Sequence, residues 1–392
     1  MKISRRMFAL SVVFAVAAIF SSQAGLAQKS GGSPYLVYVG TYTTKQTSKG
    51  IYAYRFDATS GQLTAIGLAG ESTDPSFVAV HPSGKYLYAV NEIGDFNGAK
   101  SGAISSFAID RKSGALKLLN QVSTHGAGPC YVSLDKSGRF VLVANYDGGS
   151  VATFVIQDDG GLSLVKGFVE HSGSSVDKER QAAPHAHWIG VSPDNRFAMA
   201  ADLGLDDVLI YKFDDVQGKL MPNNPPYAQL KPGSGPRHLA FHPNGKFAYL
   251  VSEMSSTVTA FAYSAQKGSL SALQTLPMLP ADYSGVREAA EIVVHPSGKF
   301  VYASNRGTAN SIAAYKIDPS KGTLTPAGLF STKGQIPRNF VIDPTGQFLL
   351  AANEDSGNIV VFRIDAVTGA LTPTGQVEEV PAPVCITFVP AE

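Results

Sequence analysis

The chain has 392 residues, of which 44% are hydrophobic, 16% charged and 10% aromatic. This composition is typical of a globular protein that can bury a large core. The net charge is only +1, so the sequence gives no support to nucleic-acid binding, which generally requires a basic stripe or patch.

The N-terminus is built like an export signal. Lys2, Arg5 and Arg6 precede an apolar run from Met7 to Phe20, and small residues continue to Ala27. The apolar run is too short to cross a hydrocarbon core of about 30 Å, so we predict a cleaved signal rather than a stable membrane anchor. The arginine pair resembles a twin-arginine signal, and an ordinary signal with a chance arginine pair is the alternative. We therefore expect a periplasmic or secreted protein.

One short sequence recurs through the rest of the chain. The segment HPSGKYLYAV begins at His81, and modified copies of it begin at Asp135, Ser192, His242, His295 and Asp343. Each copy has a polar turn followed by an apolar run, and another apolar run precedes the turn, which predicts a hairpin between two strands. The copies lie about 50 residues apart with four strand-like runs per unit, which is typical of the blades of an all-β propeller.

The two ends of the chain complete the count of blades. The first complete unit begins at Ser76 with strands a to d, SFVAV, KYLYAVNE, GAISSFAID and ALKLLNQVS, and five more units follow. The N-terminal runs from Tyr35 supply strands b, c and d, and the C-terminal run to Pro390 supplies strand a. We therefore predict a seven-bladed β-propeller with four antiparallel strands per blade, closed by pairing of the two ends. The expected layout is a signal peptide at 1–27, a short linker at 28–34 and a single propeller domain at 35–392.

Two polar insertions interrupt the repeat between strand d of one blade and strand a of the next, one from His171 and one from Leu279. Long loops in compact repeat folds are often functional, and both insertions are expected at the same rim. In contrast, His81, His242 and His295 recur at equivalent turn positions. We therefore predict that these three histidines serve turns and packing.

The geometry of the blades selects candidate site residues. Strands a and b are antiparallel, so the start of a and the end of b meet at one end of each blade, around one mouth of the channel that strands a line. The residues at these places are Asn91, Glu92, Asn145, Tyr146, His185, His187, Asp202, Arg237, Glu253, Glu291, Arg306, Arg338, Asn353 and Glu354. Charged residues break the repeat in blades 4 to 6, counting the blade at the termini as blade 1. The sequence therefore predicts the site at those blades.

Several of these residues also have a structural interpretation. His185 and His187 flank the start of a strand, so we expect one to face the channel and the other the neighbouring blade, and either can be a packed core histidine. Arg237 and Glu253 can form a structural ion pair within one blade. A buried charge is costly unless it is paired, so a structural and a functional role can coexist.

These residue types suit the opening of an ester or a lactone. Two arginines can hold an anionic substrate and stabilise the oxyanion of a tetrahedral intermediate, while a carboxylate or a neutral imidazole takes a proton from water. The sequence has no dense His, Asp and Glu cluster with ligand spacing, no GxSxG elbow and no P-loop, so no metal or cofactor is expected. Cys130 and Cys385 fall in inner strands of blades that are not neighbours, which favours buried thiols over a disulfide.

Five segments carry a family resemblance: PHAHW, DLGLDD, GPRHLAFHPNGKFAYLVSE, AAEIVVHPSGKFVYASNRG and IDPTGQFLLAANEDSGNIVVFRID. They resemble the seven-bladed propeller lactonases, which include bacterial 6-phosphogluconolactonases of the propeller type and fungal carboxy-muconate lactonizing enzymes. The resemblance implies metal-independent lactone chemistry at one channel mouth, with a histidine, two arginines and a glutamate as active residues. On this chain they are His185 or His187, Arg237, Arg306 and Glu253. The family often has a histidine after SNRG, where this chain has Thr308.

Our working hypothesis is an exported, monomeric lactonase that hydrolyses an aldonolactone or a related carboxylated lactone without a cofactor. The predicted catalytic residues are Glu253, His187, His185, Arg237 and Arg306, and the predicted substrate contacts are Arg237, Arg306, Asp202, Glu291 and Arg338. Export makes an unphosphorylated sugar lactone as good a candidate as 6-phosphogluconolactone, which is a cytoplasmic metabolite. The alternatives are a non-catalytic propeller that binds a partner through its rim, a muconate-type lactonizing enzyme, and a calcium-dependent six-bladed lactonase, which the count of seven inner strands disfavours.

Overall fold

The computed structural model describes residues 35–45 and 47–392, and the regular structure of these residues is entirely β-strand. The first eleven strands are β1 (Tyr35–Thr41), β2 (Gly50–Asp57), β3 (Gln62–Glu71), β4 (Val78–Val80), β5 (Tyr86–Asn91), β6 (Ala103–Ile109), β7 (Leu116–Ser123), β8 (Pro129–Leu134), β9 (Phe140–Asn145), β10 (Ser150–Ile156) and β11 (Leu162–Glu170). The next eight are β12 (Ala186–Val191), β13 (Phe197–Asp202), β14 (Asp207–Asp214), β15 (Lys219–Gln229), β16 (Pro236–Phe241), β17 (Phe247–Ser252), β18 (Thr257–Ser264) and β19 (Ser269–Pro277). The last nine are β20 (Ala289–Val294), β21 (Phe300–Asn305), β22 (Ser311–Ile317), β23 (Leu324–Ser331), β24 (Pro337–Ile342), β25 (Phe348–Asn353), β26 (Asn358–Ile364), β27 (Leu371–Glu379) and β28 (Pro383–Pro390). The predicted signal peptide and linker lie outside the described residues.

The strands form seven antiparallel sheets of four strands, which are the blades of the propeller. Blades 2 to 7 each use four consecutive strands, beginning with β4–β7, and β28 pairs with β1 to complete blade 1. The predicted count of blades and the predicted closure are therefore confirmed. The inner strand of blade 2 is shorter than predicted and begins at Val78, because the Ser76 amide donates a hydrogen bond to the Asp74 carbonyl in a preceding turn.

The repeated turns require a left-handed backbone at one position, which glycine and asparagine tolerate best. Gly84 has a φ of 68°, and Asn195 takes the equivalent place in blade 4 with a φ of 61°. The turn histidines connect neighbouring blades. Nε2 lies within 2.9 Å of the turn carbonyl of the next blade in the pairs His81 with Gly138, His242 with Gly298 and His295 with Gly346. The predicted turn and packing role of these histidines is confirmed.

The core lies between the blades, because both faces of each sheet are covered by a neighbour. The second strands β9, β13, β17, β21 and β25 are buried along their whole length, which explains their continuous apolar sequences. Phe56 of blade 1 packs edge to face against Phe348 of blade 7, with ring centroids 5.7 Å apart. Burial of one such side chain is worth about 1.5–3 kcal/mol.

Aromatic side chains fill the channel beneath its mouth. The ring of Tyr131 in blade 3 lies 4.1 Å from Phe77 and 4.9 Å from His238, between centroids, and Trp188 packs against it. A cavity of about 10 Å³ remains, which holds about one water molecule. It is lined by Ser76, Phe77, Glu92, Cys130, Arg237, His238, Arg338 and Val384.

Both cysteines, Cys130 and Cys385, are buried and free, as predicted. In the part of the chain that the structure describes, no helix is long and apolar enough to cross a membrane.

Candidate active site

Glu253 lies at the centre of a charged cluster at the channel mouth. It directly follows β17 and its side chain is almost completely buried. Arg306 Nη2 lies 2.8 Å and Arg237 Nε 3.0 Å from its Oε2, and Arg180 Nη2 donates to its Oε1 at 2.6 Å. Burial alone would raise the pKa of Glu253, but the charges of Arg306 and Arg237 outweigh it and lower the pKa from 4.5 to about 2. Three guanidinium groups therefore share one carboxylate that is ionised near neutral pH, and we call these four residues the Glu253 cluster.

A polar or charged residue directly follows the second strand in six of the seven blades. Glu253 follows β17, Arg306 follows β21, Glu354 follows β25, Glu92 follows β5, Tyr146 follows β9 and Tyr42 follows β1. Blade 4 is the exception, because the buried Leu203 follows β13.

A β-bulge at the start of the inner strands presents the second set of site residues. In blade 5, Pro236 pairs with Ser252 and His238 with Val251, which leaves Arg237 as the extra residue. The same shift leaves His187 extra in blade 4 and Arg338 extra in blade 7. A bulge re-aims the side chain that it carries. Arg237 and Arg338 accordingly line the channel cavity.

Arg237 is 2% exposed and is held on the wall of the channel. Its Nη1 donates to the Ala290 carbonyl at 2.5 Å, in addition to the contact between Nε and Glu253. Burial, followed by the positive charges of Arg306 and Arg338, lowers the pKa of Arg237 to about 10. Arg237 therefore stays charged near neutral pH, although the positive charges of Arg306 and Arg338 lie close to it.

Glu291 is held by hydrogen bonds to two other buried side chains, His238 and Asn339. Its Oε1 accepts from Nδ1 of His238 at 3.0 Å and its Oε2 accepts from Asn339 Nδ2 at 2.6 Å. Burial lowers the pKa of His238 to about 4, so this ring is neutral near pH 7 and donates through Nδ1. The structure places Glu291, a predicted substrate contact, in this buried network.

His185 and His187 have different surroundings. His187 is buried, with Nδ1 3.7 Å from the Cys130 sulfur and its ring edge to face with Tyr146. Burial, followed by the charge of Arg237, lowers the pKa of His187 well below 6.5. His185 is partly exposed, stacks on the Tyr146 ring at 4.5 Å and has Nδ1 3.0 Å from the Tyr146 carbonyl. His187 thus faces the channel interior, and His185 contacts the neighbouring blade 3.

Asp202 anchors the first insertion from inside the fold. It is fully buried, its Oδ1 accepts from the His185 and Gly204 amides, and its Oδ2 lies 2.6 Å from His171 Nδ1. Nε2 of His171 in turn lies 2.8 Å from the Tyr211 hydroxyl. The contacts of Asp202, another predicted substrate contact, therefore lie within the protein.

A second polar group lies across the mouth on blades 1, 2 and 7. Arg338 Nη2 donates to the Tyr42 hydroxyl at 2.8 Å, and Tyr42 donates to Glu92 at 2.9 Å. Glu354 lies 4.0 Å from Arg338 Nε and also forms an ion pair with Lys45. Burial raises the pKa of Glu92, which also accepts from Ser76. The mouth is therefore lined by two charged groups that face each other across the channel cavity.

The sequence reasoning missed two residues of the mouth. Arg180 lies inside the first insertion, where no repeat marks its position, and the only available signal was a charged run in a loop beside the predicted site. Tyr42 follows β1, so the end-of-strand rule selects it once it is applied to blade 1. Thr308, which replaces the family histidine, lies 2.6 Å from the Tyr283 hydroxyl and accepts from the Val286 amide, and it thereby holds the second insertion.

The protein also has two larger clefts. Clefts of about 510 and 400 Å³ lie between blades 1 and 2 and beside the first insertion, but neither is lined by an arginine. We place the site by convergence of charge, because catalytic groups are expected where ionisable residues perturb each other. Among the residues that the structure describes, no three His, Cys, Asp or Glu side chains are arranged to hold a metal ion.

Residues 36–388 match the family model described as lactonase, 7-bladed beta-propeller. The chain therefore belongs to the seven-bladed β-propeller lactonase family and is a lactone hydrolase by class. This membership agrees with the observed seven blades and overturns both the non-catalytic and the six-bladed alternatives.

Two kinds of relative support this assignment. The 6-phosphogluconolactonase of Bacillus subtilis (strain 168) is 38% identical over 355 residues, which cover 91% of this chain and 98% of the relative. The solved structure of the Pseudomonas aeruginosa periplasmic gluconolactonase is 36% identical with a TM-score of 0.86, covering 92% of this chain and 100% of that one. A putative 6-phosphogluconolactonase from Bacteroides fragilis is 39% identical with a TM-score of 0.85, covering 91% and 98%.

Proposed function

We propose that this protein is an exported lactonase that hydrolyses a sugar lactone by metal-independent attack of water on the lactone carbonyl. The observation that carries the proposal is the Glu253 cluster, in which ionised Glu253 holds Arg237 and Arg306 at the channel mouth. Water adds to the carbonyl carbon, the negative charge develops on the carbonyl oxygen, and the ring oxygen leaves as a hydroxyl group. The product is an aldonic acid, which releases a proton to the medium.

Arg306 is the best candidate for stabilising the oxyanion. It is 8% exposed, and its Nη2 is used by Glu253 and the Ala289 carbonyl. Its Nε is buried and has no hydrogen-bond partner among the described residues. A buried donor without a partner is costly, and such groups are retained where a ligand completes them. A substrate oxygen at this nitrogen would gain stabilisation as its charge develops.

The proton acceptor is assigned to a histidine rather than to Glu253. A carboxylate with a pKa of about 2 is a weak base near neutral pH, so Glu253 acts by positioning the guanidinium groups. His185 Nδ1 faces the Tyr146 carbonyl, which can only accept. A neutral His185 ring therefore carries its proton on Nδ1 and leaves Nε2 as an acceptor on a partly exposed side chain. His187 is buried and packs edge to face against Tyr146.

Export is supported by the signal-like sequence of residues 1–27 and by the similarity to the Pseudomonas aeruginosa gluconolactonase, which is periplasmic. Fractionation of cells that produce the full-length chain should place the mature protein outside the cytoplasm. A full-length protein retained in the cytoplasm would contradict export and leave the lactonase proposal standing.

The activity is tested on the mature protein in a pH-stat, with glucono-δ-lactone and 6-phosphogluconolactone and with heat-inactivated protein as the background. We expect hydrolysis that a chelator does not reduce. His185→Asn should lower kcat by about 100-fold with little effect on KM, whereas His187→Asn should act mainly on stability. Absence of activity toward both lactones would contradict the lactonase proposal. Full activity in His185→Asn would contradict the assignment of His185 as the proton acceptor.

A further inference from the structure

Arg180 is carried by a turn that the protein holds in place. Asp177 Oδ1 accepts from the Glu179 and Arg180 amides at 2.9 Å each. The next residue, Gln181, is fully buried and donates to the Leu203 carbonyl at 2.8 Å. The turn is therefore fixed on both sides of Arg180, which is the arrangement expected of a residue that presents its side chain to a ligand.

The guanidinium of Arg180 uses only part of its hydrogen-bonding capacity. Its Nη2 lies 2.6 Å from Glu253 and 3.5 Å from the Tyr146 hydroxyl, and its side chain is 40% exposed. Within the described parts of the chain, Nε and Nη1 have no hydrogen-bond partner. These two nitrogens lie on different edges of the guanidinium, and each retains a charged N–H donor for an oxygen of a carboxylate or a phosphate. An anion can therefore reach Arg180 without breaking its contact with Glu253.

The Glu253 cluster contains more positive than negative charge. Arg237 and Arg306 already pair with Glu253 and are buried, and Arg180 adds a third guanidinium to the same carboxylate. A partly buried site with excess positive charge attracts anionic groups.

We propose that Arg180 is a specificity-determining residue that binds an anionic group of the substrate, a phosphate or a carboxylate, remote from the lactone carbonyl. This inference rests on the proposed lactonase function and names the substrate class as lactones with a second, negatively charged group. Arg306 and Arg237 serve the reacting carbonyl inside the mouth, and Arg180 holds the distant charge on the accessible side.

The test compares three lactones: neutral glucono-δ-lactone, 6-phosphogluconolactone and the carboxylated glucarolactone. In Arg180→Ala, the ratio of KM for the charged lactone to KM for glucono-δ-lactone should rise about 10- to 100-fold over the wild-type ratio, the loss expected for a charge-assisted hydrogen bond. Arg180→Lys should recover part of the loss, because it restores the positive charge without the guanidinium donors. A loss confined to 6-phosphogluconolactone assigns Arg180 to a phosphate, and a loss confined to glucarolactone assigns it to a carboxylate.

Arg287 provides a matched control in the second insertion. It donates to the Tyr283 carbonyl and has no contact with the Glu253 cluster among the described residues, so Arg287→Ala should leave all three KM values unchanged. Equal losses on all three lactones in Arg180→Ala would assign Arg180 to the support of Glu253 and overturn the inference. Unchanged constants on all three would overturn it as well.

A binding measurement separates failure of the proposed lactonase function from failure of the inference about Arg180. If the wild-type protein hydrolyses none of the lactones, the lactonase proposal fails, and calorimetry with gluconate, 6-phosphogluconate and glucarate still tests Arg180. Tighter binding of 6-phosphogluconate or glucarate than of gluconate, lost in Arg180→Ala, supports the inference. Equal binding of all three acids, or a preference that Arg180→Ala retains, overturns it.

Discussion

Replacing Glu253 with glutamine should remove a pH-dependent contribution to stability of about 3 kcal/mol. The pKa of Glu253 falls from 4.5 to about 2 in the folded protein, and one pKa unit corresponds to about 1.4 kcal/mol. Glu253 is 5% exposed, so screening by solvent removes little of this energy. Glutamine resembles the protonated side chain in shape and lacks the charge that the three arginines bind.

The direction of the pH dependence follows from the sign of the shift. A carboxylate with a lowered folded pKa stabilises the fold above its unfolded pKa and loses that contribution as the pH falls through the folded value. The free energy of unfolding of the wild type should therefore exceed that of Glu253→Gln by about 3 kcal/mol at pH 7. The difference should shrink below pH 4.5 and vanish near pH 2.

Trp188 gives a convenient assay, because it is the only tryptophan of the sequence and is buried beside the channel. Urea unfolding followed by its fluorescence between pH 3 and pH 7 yields the free energy for both proteins. Glu379→Gln serves as the control, because Glu379 is an exposed carboxylate on an outer strand. A deficit in Glu253→Gln that is constant with pH, or below about 1 kcal/mol at pH 7, would refute the electrostatic reasoning.

Three further changes test other parts of the structure. Arg306→Ala should lower kcat by about 10²- to 10³-fold if its Nε serves the oxyanion, and a kcat within threefold of wild type in the pH-stat assay would remove it from that role. Deletion of residues 383–392 removes β28, so the thermal transition followed by circular dichroism should be lost or greatly lowered, whereas an unchanged Tm would count against closure through blade 1. His242→Ala removes the contact with the Gly298 carbonyl and should lower the free energy of unfolding by about 1 kcal/mol with kcat unchanged; reduced kcat in a stably folded variant would give this histidine a functional role.

The fold was accessible from the sequence because each blade repeats the same local rules. A turn residue with a left-handed backbone, such as Gly84 or Asn195, recurs at a fixed distance from two apolar runs. The incomplete units at Tyr35 and Pro390 complement each other, and this complementarity predicted the shared blade correctly.

The site was accessible only in part. The end-of-strand rule selected Glu253 and Arg306, which the structure brings together, and it also selected Asp202, whose contacts are internal. It did not select Arg180, because the conformation of an insertion depends on tertiary contacts that no periodicity records. The bulge that re-aims His187 is likewise set by strand pairing rather than by alternation along one strand.

The position of β28 has a consequence for how the chain is made. The innermost strand of blade 1 is the last of the 28 described strands to be synthesised, so the ring cannot close until β28 has left the ribosomal exit tunnel. Blades 2 to 7 can form in order as they emerge, but blade 1 is completed only when β28 emerges. A prematurely terminated chain therefore keeps an open sheet edge, which marks it as incomplete for proteases and chaperones.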